Sequence, residues 1–315
     1  MDAMNSVFPR TQSSGRVPEA VDFVIVGAQK AGSTHLGACL LDHPEVFLCR
    51  DEVPYFENPF YMTTPASELD RVFAKAQPGQ RRGIHRPDYL AQSVCAARIK
   101  ADAPNARILA VLRDPVLRAI SAYFWYLQFG LLPFHPAEKG LTQLLDGWSH
   151  PNYPHASEVI EYGFYARHLR PYFNAFGPDQ VLVLLNDELS DPQRLITVYG
   201  FLGIDCGHTP AALTKRSNEG VYDLRRLRVL RARRRFAFSW DAVTRYTYRP
   251  RRLRKPIRFV PNAAIVGLDR VLLAHLFGND KPNLPEHLIR RLRQRYTEDV
   301  TDLAMLLNRD LSSWT

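Results

Sequence analysis

The sequence predicts an α/β fold, a single domain whose central parallel sheet is flanked by helices. Three observations carry this. The apolar run Val21–Val26 meets a glycine turn, GAQKAGSTHL, which opens a helical pattern. A second run, Ile108–Leu112, ends at Asp114-Pro115, an aspartate cap with proline at the first helical position. Two further runs, Val46–Leu48 and Val181–Leu185, alternate with stretches of helical period, as a parallel sheet covered on both faces requires. Ligands of such sheets collect beyond the carboxyl ends of the strands, and Gly27, Glu52, Arg113 and Asn186 all fall there.

A glycine turn between strand and helix aims several backbone N–H groups and the positive end of a helix dipole at one spot, which suits phosphate or sulfate. Ser33 and Thr34 are placed to cap the helix and to bind an anion. The ATP-binding loop pattern needs Gly, four residues, Gly, then Lys and Ser or Thr. Gly27 and Gly32 keep that spacing, but Ser33 holds the lysine position and the lysine of the loop is Lys30. The dinucleotide pattern fails too, since Gly27, Gly32 and Gly37 are evenly spaced. An ordinary tight turn is the plain alternative.

Arg113 lies at a strand's carboxyl end, and Ser121 follows two helical turns beyond Asp114 on the same face. Guanidinium and hydroxyl can therefore converge on one phosphate. The plain alternatives are a surface Arg113–Asp114 ion pair and a small packing serine.

Together these segments resemble the phosphosulfate loop and the 3′-phosphate motif of sulfotransferases that use 3′-phosphoadenosine 5′-phosphosulfate (PAPS), in the heparan sulfate sulfotransferase-like, bacterial-type branch. The resemblance runs from about Asp22 to Trp314, with one divergent insertion. DEVPYFE, Asp51–Glu57, is similar to the segment carrying the family's catalytic base, which maps onto Glu52, with Tyr55 on the substrate side. RPDYL, Arg86–Leu90, resembles the substrate-side Pro-x-Tyr segment, which places Tyr89 and the neighbouring His85 there. EYGFYARHL, the stretch from Val181 to Gly203 and NRDLSSW resemble the later elements. Pro54 stands where relatives often carry histidine, and His85 where a lysine is common, so the acceptor side departs from the pattern while the donor side keeps it.

The resemblance implies a P-loop-nucleotide-kinase-like sulfotransferase fold and in-line transfer of a sulfuryl group from PAPS, leaving adenosine 3′,5′-bisphosphate, without a metal. Lys30 and Glu52 would be catalytic. The amides of Ala31, Gly32, Ser33 and Thr34, with Lys30 and His35, would hold the 5′ end, and Arg113 and Ser121 the 3′-phosphate. KRSNEG resembles the nucleotide-closing loop, adding Lys215, Arg216 and Asn218. His35 reads more readily as helix-start packing or an amide contact than as a base. His85, His155 and His168 are candidates for the acceptor side. The acceptor itself is left open among glycan, glycolipid and metabolite alcohol, with an amine a weaker choice.

Composition fits one catalytic domain. With 315 residues, 46% of them hydrophobic, the chain can bury a sizeable core. Residues 1–20 read as a disordered arm and 21–315 as the domain; they lack the basic-then-apolar order of a signal peptide. Cys39, Cys49, Cys95 and Cys206 are widely spaced, which suggests buried thiols of a reducing, cytoplasmic setting.

The net charge of +9 is unevenly placed. Residues 225–258 hold thirteen arginines and one lysine against Asp241, a local charge of +13, so the remainder is acidic. Leu224, Leu227, Val229 and Leu230 form an apolar helical side here, followed by Phe236, Phe238 and Trp240. This basic insertion, about residues 224–260, is either a solvated face or a surface for anionic lipid or a polyanion; the lipid reading suggests a place at the inner membrane surface. No nucleic-acid motif accompanies it. The competing activities are a nucleotide kinase or ATPase, whose magnesium-binding strand VLVLLNDE would imitate, and a non-catalytic anion- or membrane-binding protein.

Overall fold

The computed structural model describes residues 21–213, 220–233, 239–240, 247–248 and 256–315. The proposed arm, residues 1–20, lies outside them.

Five parallel strands form the sheet: β1 (Phe23–Gly27), β2 (Val46–Leu48), β3 (Arg81–His85), β4 (Arg107–Leu112) and β5 (Val181–Leu185), in the order β2-β3-β1-β4-β5. Four of them match the apolar runs of the sequence. The exception is β3, RRGIH, whose first residues are charged and whose centre is a glycine, so it has neither an apolar run nor alternation. Its partners make it a strand: β2 pairs along one edge and β1 along the other. Gly83 is required there because a Cβ would fall 2.0 Å from the Phe23 ring.

Alternation along the strands feeds two cores. Val24, Val26, Ile108, Ala110 and Leu112 face one side, under helices Ser93–Asp102, Pro115–Phe129, Tyr165–Phe176 and Glu286–Leu307. Phe23, Ile25, Leu109 and Val111 face the other, under helices Ser33–Leu41 and Pro192–Leu202. The sheet is thus buried on both faces, as parallel sheets are.

Connectivity decides where a ligand can sit. From β1 the chain leaves toward β2, and from β4, the neighbour of β1, it leaves the opposite way toward β5. A crevice therefore opens beyond the carboxyl ends of β1 and β4. The first helix after β1 and the helix after β4 both begin at its rim.

The basic segment is not a detached insertion where it is described. Helix Leu224–Ala232 starts at Asp223, whose carboxylate accepts the N–H groups of Arg225 and Arg226 at 2.9 and 3.1 Å. Its apolar side packs on helix Pro115–Phe129, with Leu227 fully buried and Leu230 nearly so. These leucines belong to the core, which removes them from the membrane-facing role the sequence suggested. Leu227→Ala should accordingly lower unfolding free energy by about 2–5 kcal/mol, read by urea denaturation. A change within error would detach this helix from the core.

Candidate active site

The loop after β1 is held open by backbone contacts. Ala28 N–H donates to Val111 O of β4 at 2.8 Å, and Ala31 N–H folds back to Ala28 O at 3.2 Å. Gly32 is the helix cap, at φ 108°. A Cβ there would lie 2.5 Å from Asn186 Nδ2, and that amide donates to Ala31 O at 2.7 Å. Asn186, at the end of β5, thereby fixes the loop from above. Lys30 takes a left-handed conformation, φ 63°, which costs a non-glycine residue about 1–3 kcal/mol and is met where function holds it.

Two expectations are corrected here. Ser33 and Thr34 do not cap the helix; they are its first two residues, and Gly32 is the cap. The Ala31 amide is already engaged, which leaves Gly32, Ser33 and Thr34 as the loop residues whose N–H groups have no acceptor among the described residues. First-turn N–H groups lack intrahelical partners by geometry. The Ser33 hydroxyl is 3.2 Å from His85 Nε2.

Arg113 stands at the end of β4, beside this loop. Asp114 does not pair with it. Its carboxylate caps the next helix, accepting Val116 and Leu117 N–H at 2.8 and 3.0 Å, and Arg293 approaches its second oxygen at 3.5 Å. Arg113 has no carboxylate partner among the described residues. Burial lowers the Lys30 ammonium from its usual range to about 8, and the positive charge of Arg113 adds to the effect. Two cations thus share one crevice, with no carboxylate paired to either among the described residues. Ser121, 7% exposed, lies two turns along the same capped helix.

The second half of the site centres on Arg86. Its guanidinium, 5% exposed, binds Glu57 through both oxygens at 2.6 and 3.1 Å, Glu52 at 2.6 Å and Asp88 at 3.0 Å. Three carboxylates keep it charged against the pull of burial. Asp88 also accepts from Gln29 Nε2 at 3.0 Å, which links the cluster to the residue before Lys30. Glu57 is fully buried, whereas the Glu52 side chain is 45% exposed. Crowding by surrounding protein still raises the Glu52 carboxyl above its usual range, opposed by Arg86.

The two tyrosines of the expected substrate side are structural. Tyr89 is fully buried; its hydroxyl donates to Val53 O and accepts Phe56 N–H at 3.2 Å. It clamps the segment that presents Glu52. Tyr55 is 6% exposed, with its hydroxyl 3.5 Å from Asp102. His85 meets the loop after β1 through the Ser33 hydroxyl, and burial depresses it to about 4, so it is neutral near pH 7. His35 lies over Cys39, with Nε2 3.9 Å from the sulfur, in the packing role. His155 binds Glu158 at 2.7 Å and His168 the Glu161 carbonyl at 2.9 Å, so both brace helices. Lys215, Arg216 and Asn218 lie outside the described residues.

Sequence reading missed Arg86, Asp88 and Gln29 as partners. The signal was present in Arg86-Pro87-Asp88, an opposite-charge pair at the end of a strand that was itself not read.

The Sulfotransferase domain family model matches residues 20–218. Among curated proteins, mouse (Mus musculus) heparan sulfate glucosamine 3-O-sulfotransferase 3A1 is 31% identical over 202 residues, 61% of this chain and 47% of that protein. The mouse 3B1 enzyme is 32% identical over 200 residues, again 61% and 47%. The chain spans about half the length of these relatives. The crystal structure of a sulfotransferase from Alicyclobacillus acidocaldarius superposes with TM-score 0.63 at 21% identity, covering 94% of this chain and 99% of that one, which establishes the shared fold. With the glycine loop, the Glu52 segment and the Arg113 helix all inside the matched residues, the chain belongs to the sulfotransferase domain family.

Proposed function

We propose that this chain transfers the sulfuryl group of PAPS to a carbohydrate hydroxyl, and the observation that carries this is the pairing of an unbalanced cationic crevice with a carboxylate held at its edge. The N–H groups of Gly32, Ser33 and Thr34 would bind the 5′-phosphosulfate. Lys30 would neutralise charge gathering on the bridging oxygen as the bisphosphate leaves. Arg113 and Ser121 would hold the 3′-phosphate. Glu52 would accept the acceptor's proton, and Arg86 would fix its direction. Lys30 and the amides supply the charge stabilisation that a metal provides in phosphoryl transfer. The names of the curated relatives support a glycan acceptor; a glycolipid or metabolite alcohol would present the same group. Incubation with radiolabelled PAPS and a panel of glycans should label a carbohydrate. Label appearing only in a non-carbohydrate acceptor would contradict the acceptor class, and failure to consume PAPS with any acceptor would contradict the activity.

A kinase reading meets two obstacles. Ser33 occupies the lysine position of the ATP loop. Glu188, which would be needed beside magnesium, is bound by Arg309 at 3.0 Å through both oxygens and by Arg194 at 3.1 Å.

Two predictions follow from the roles assigned. Adenosine 3′,5′-bisphosphate should bind more tightly than 5′-AMP in calorimetry with chelator present. Arg113 and Ser121 together give two contacts to a charged group at about 1.5 kcal/mol each, or about a hundredfold in Kd. Equal affinities would remove the 3′-phosphate from these residues. Glu52→Gln should lower kcat by about 10²- to 10⁴-fold, and Lys30→Ala by about 10²- to 10³-fold, with bisphosphate affinity largely kept. Arg113→Ala should instead raise the donor KM. Wild-type turnover in Glu52→Gln would transfer the base role to another group.

A further inference from the structure

A helix runs through residues 256–277, as Pro256–Leu268, a π-helical stretch Asp269–Leu273, and Ala274–Phe277. Its polarity is inverted. The side toward the protein carries Asp269, 6% exposed and bound by Arg226 at 2.9 Å, and Asn262, which accepts from Arg233 at 3.1 Å. The side toward solvent carries Phe259, Val260, Leu268, Val271, Leu272 and Leu276, with Val271 77% and Leu276 62% exposed. Ala263, Ala264 and Gly267 fill the turns between them and are also exposed, as are Arg270 and His275. A helix that presents its acidic group inward and six large apolar side chains outward beside a cation is covered by something apolar with a polar rim.

The neighbouring charge says what that cover is. The chain entering this helix, residues 225–258, carries a net +13. A second copy of the protein would double this charge within one complex, which opposes a homodimer. A surface that is apolar within and anionic at its rim satisfies both features at once. We infer that helix 256–277 lies on a lipid leaflet rich in anionic headgroups, its aliphatic side in the acyl boundary and the exposed Arg270 and Arg225, on and beside it, at headgroup level.

Orientation follows from packing. The stretch Phe259–Phe277 is long and apolar enough to cross a membrane by length and composition. Yet helix Leu224–Ala232 contacts its first, middle and last parts, Arg226 also reaches Gly278 O at 3.0 Å, and the Arg225 guanidinium lies 3.9 Å above the Phe277 ring. A helix that bears Arg225, Arg226, Arg228 and Arg231 and packs on three successive parts of this stretch cannot follow it into hydrocarbon. The helix therefore lies flat in the interface. The leucines that the sequence assigned to this contact are core residues; the lipid-facing side belongs to the next helix, outside the 225–258 segment. This inference stands apart from the transfer chemistry.

The test is sedimentation of the full chain with vesicles of phosphatidylcholine alone, or of phosphatidylcholine and phosphatidylserine in equal parts. Wild type should pellet with the mixed vesicles, and rising salt should release it, because screening acts within about 10 Å at 0.1 M. The triple variant Leu268→Glu, Val271→Glu, Leu276→Glu should bind mixed vesicles about tenfold more weakly. Its melting midpoint and bisphosphate affinity should not change, since all three side chains point outward. Wild type that stays in solution with mixed vesicles would overturn the inference, as would a triple variant that binds as well as wild type. A wild-type dimer in light scattering that the triple variant dissolves, without vesicle binding, would assign the face to a second copy.

Discussion

A single buried guanidinium holds this site together. Arg86 would be costly to bury alone, since a charge removed from water is tolerated only when paired and hydrogen-bonded. Glu57, fully buried, matches it through both oxygens, and Glu52 and Asp88 take its remaining donors. These residues come from separate segments of chain, and Asp88 extends the connection to Gln29 of the anion loop. The position of Glu52 relative to Lys30 is therefore a consequence of charge pairing. Neither a strand nor a helix carries Glu52; the Arg86 bond and the Tyr89 clamp do that.

The donor side is built on different physics. Its positive field comes from first-turn amides, from a lysine in a left-handed conformation, and from Arg113, which has no carboxylate partner among the described residues. Such an arrangement is unfavourable until an anion arrives, and the strain is carried by the parallel sheet beneath it. Asn186 and Gly32 illustrate the tolerance: adding one methyl group at Gly32 would drive into the amide that holds the loop. A lysine in a left-handed conformation beside Arg113, set on a rigid sheet, is what would make the crevice ready for the doubly charged donor proposed above.

Much of this was legible from residue order. The β1 loop and the Asp114-Pro115 helix announced themselves because each rests on local signals, an apolar run and a cap. What could not be read locally was set by contacts distant in sequence. β3 is a strand because β1 and β2 flank it. Tyr55 and Tyr89 look like substrate contacts by motif, yet their rings complete the core, and only the packed structure distinguishes the two. The arginine segment shows its charge plainly in the sequence, whereas the exposed aliphatic face lies on the following helix and is set by the inward Asp269–Arg226 pair, a contact distant in sequence.

The coupling of the two halves has a direct kinetic signature. If Glu52 must be ionised and Lys30 charged, kcat/KM for sulfuryl transfer depends on pH through both groups of the free enzyme. Glu52 is raised above 4.5, so activity falls as pH drops through its displaced value. Lys30 is lowered to about 8, so activity falls as pH rises through about 8. The decisive measurement is that profile for wild type beside Lys30→Arg, whose guanidinium stays charged throughout. The expected result is a bell for wild type whose alkaline limb is missing in Lys30→Arg; a wild-type rate that holds level well above pH 8, or a limb unchanged by the substitution, would contradict the role given to Lys30.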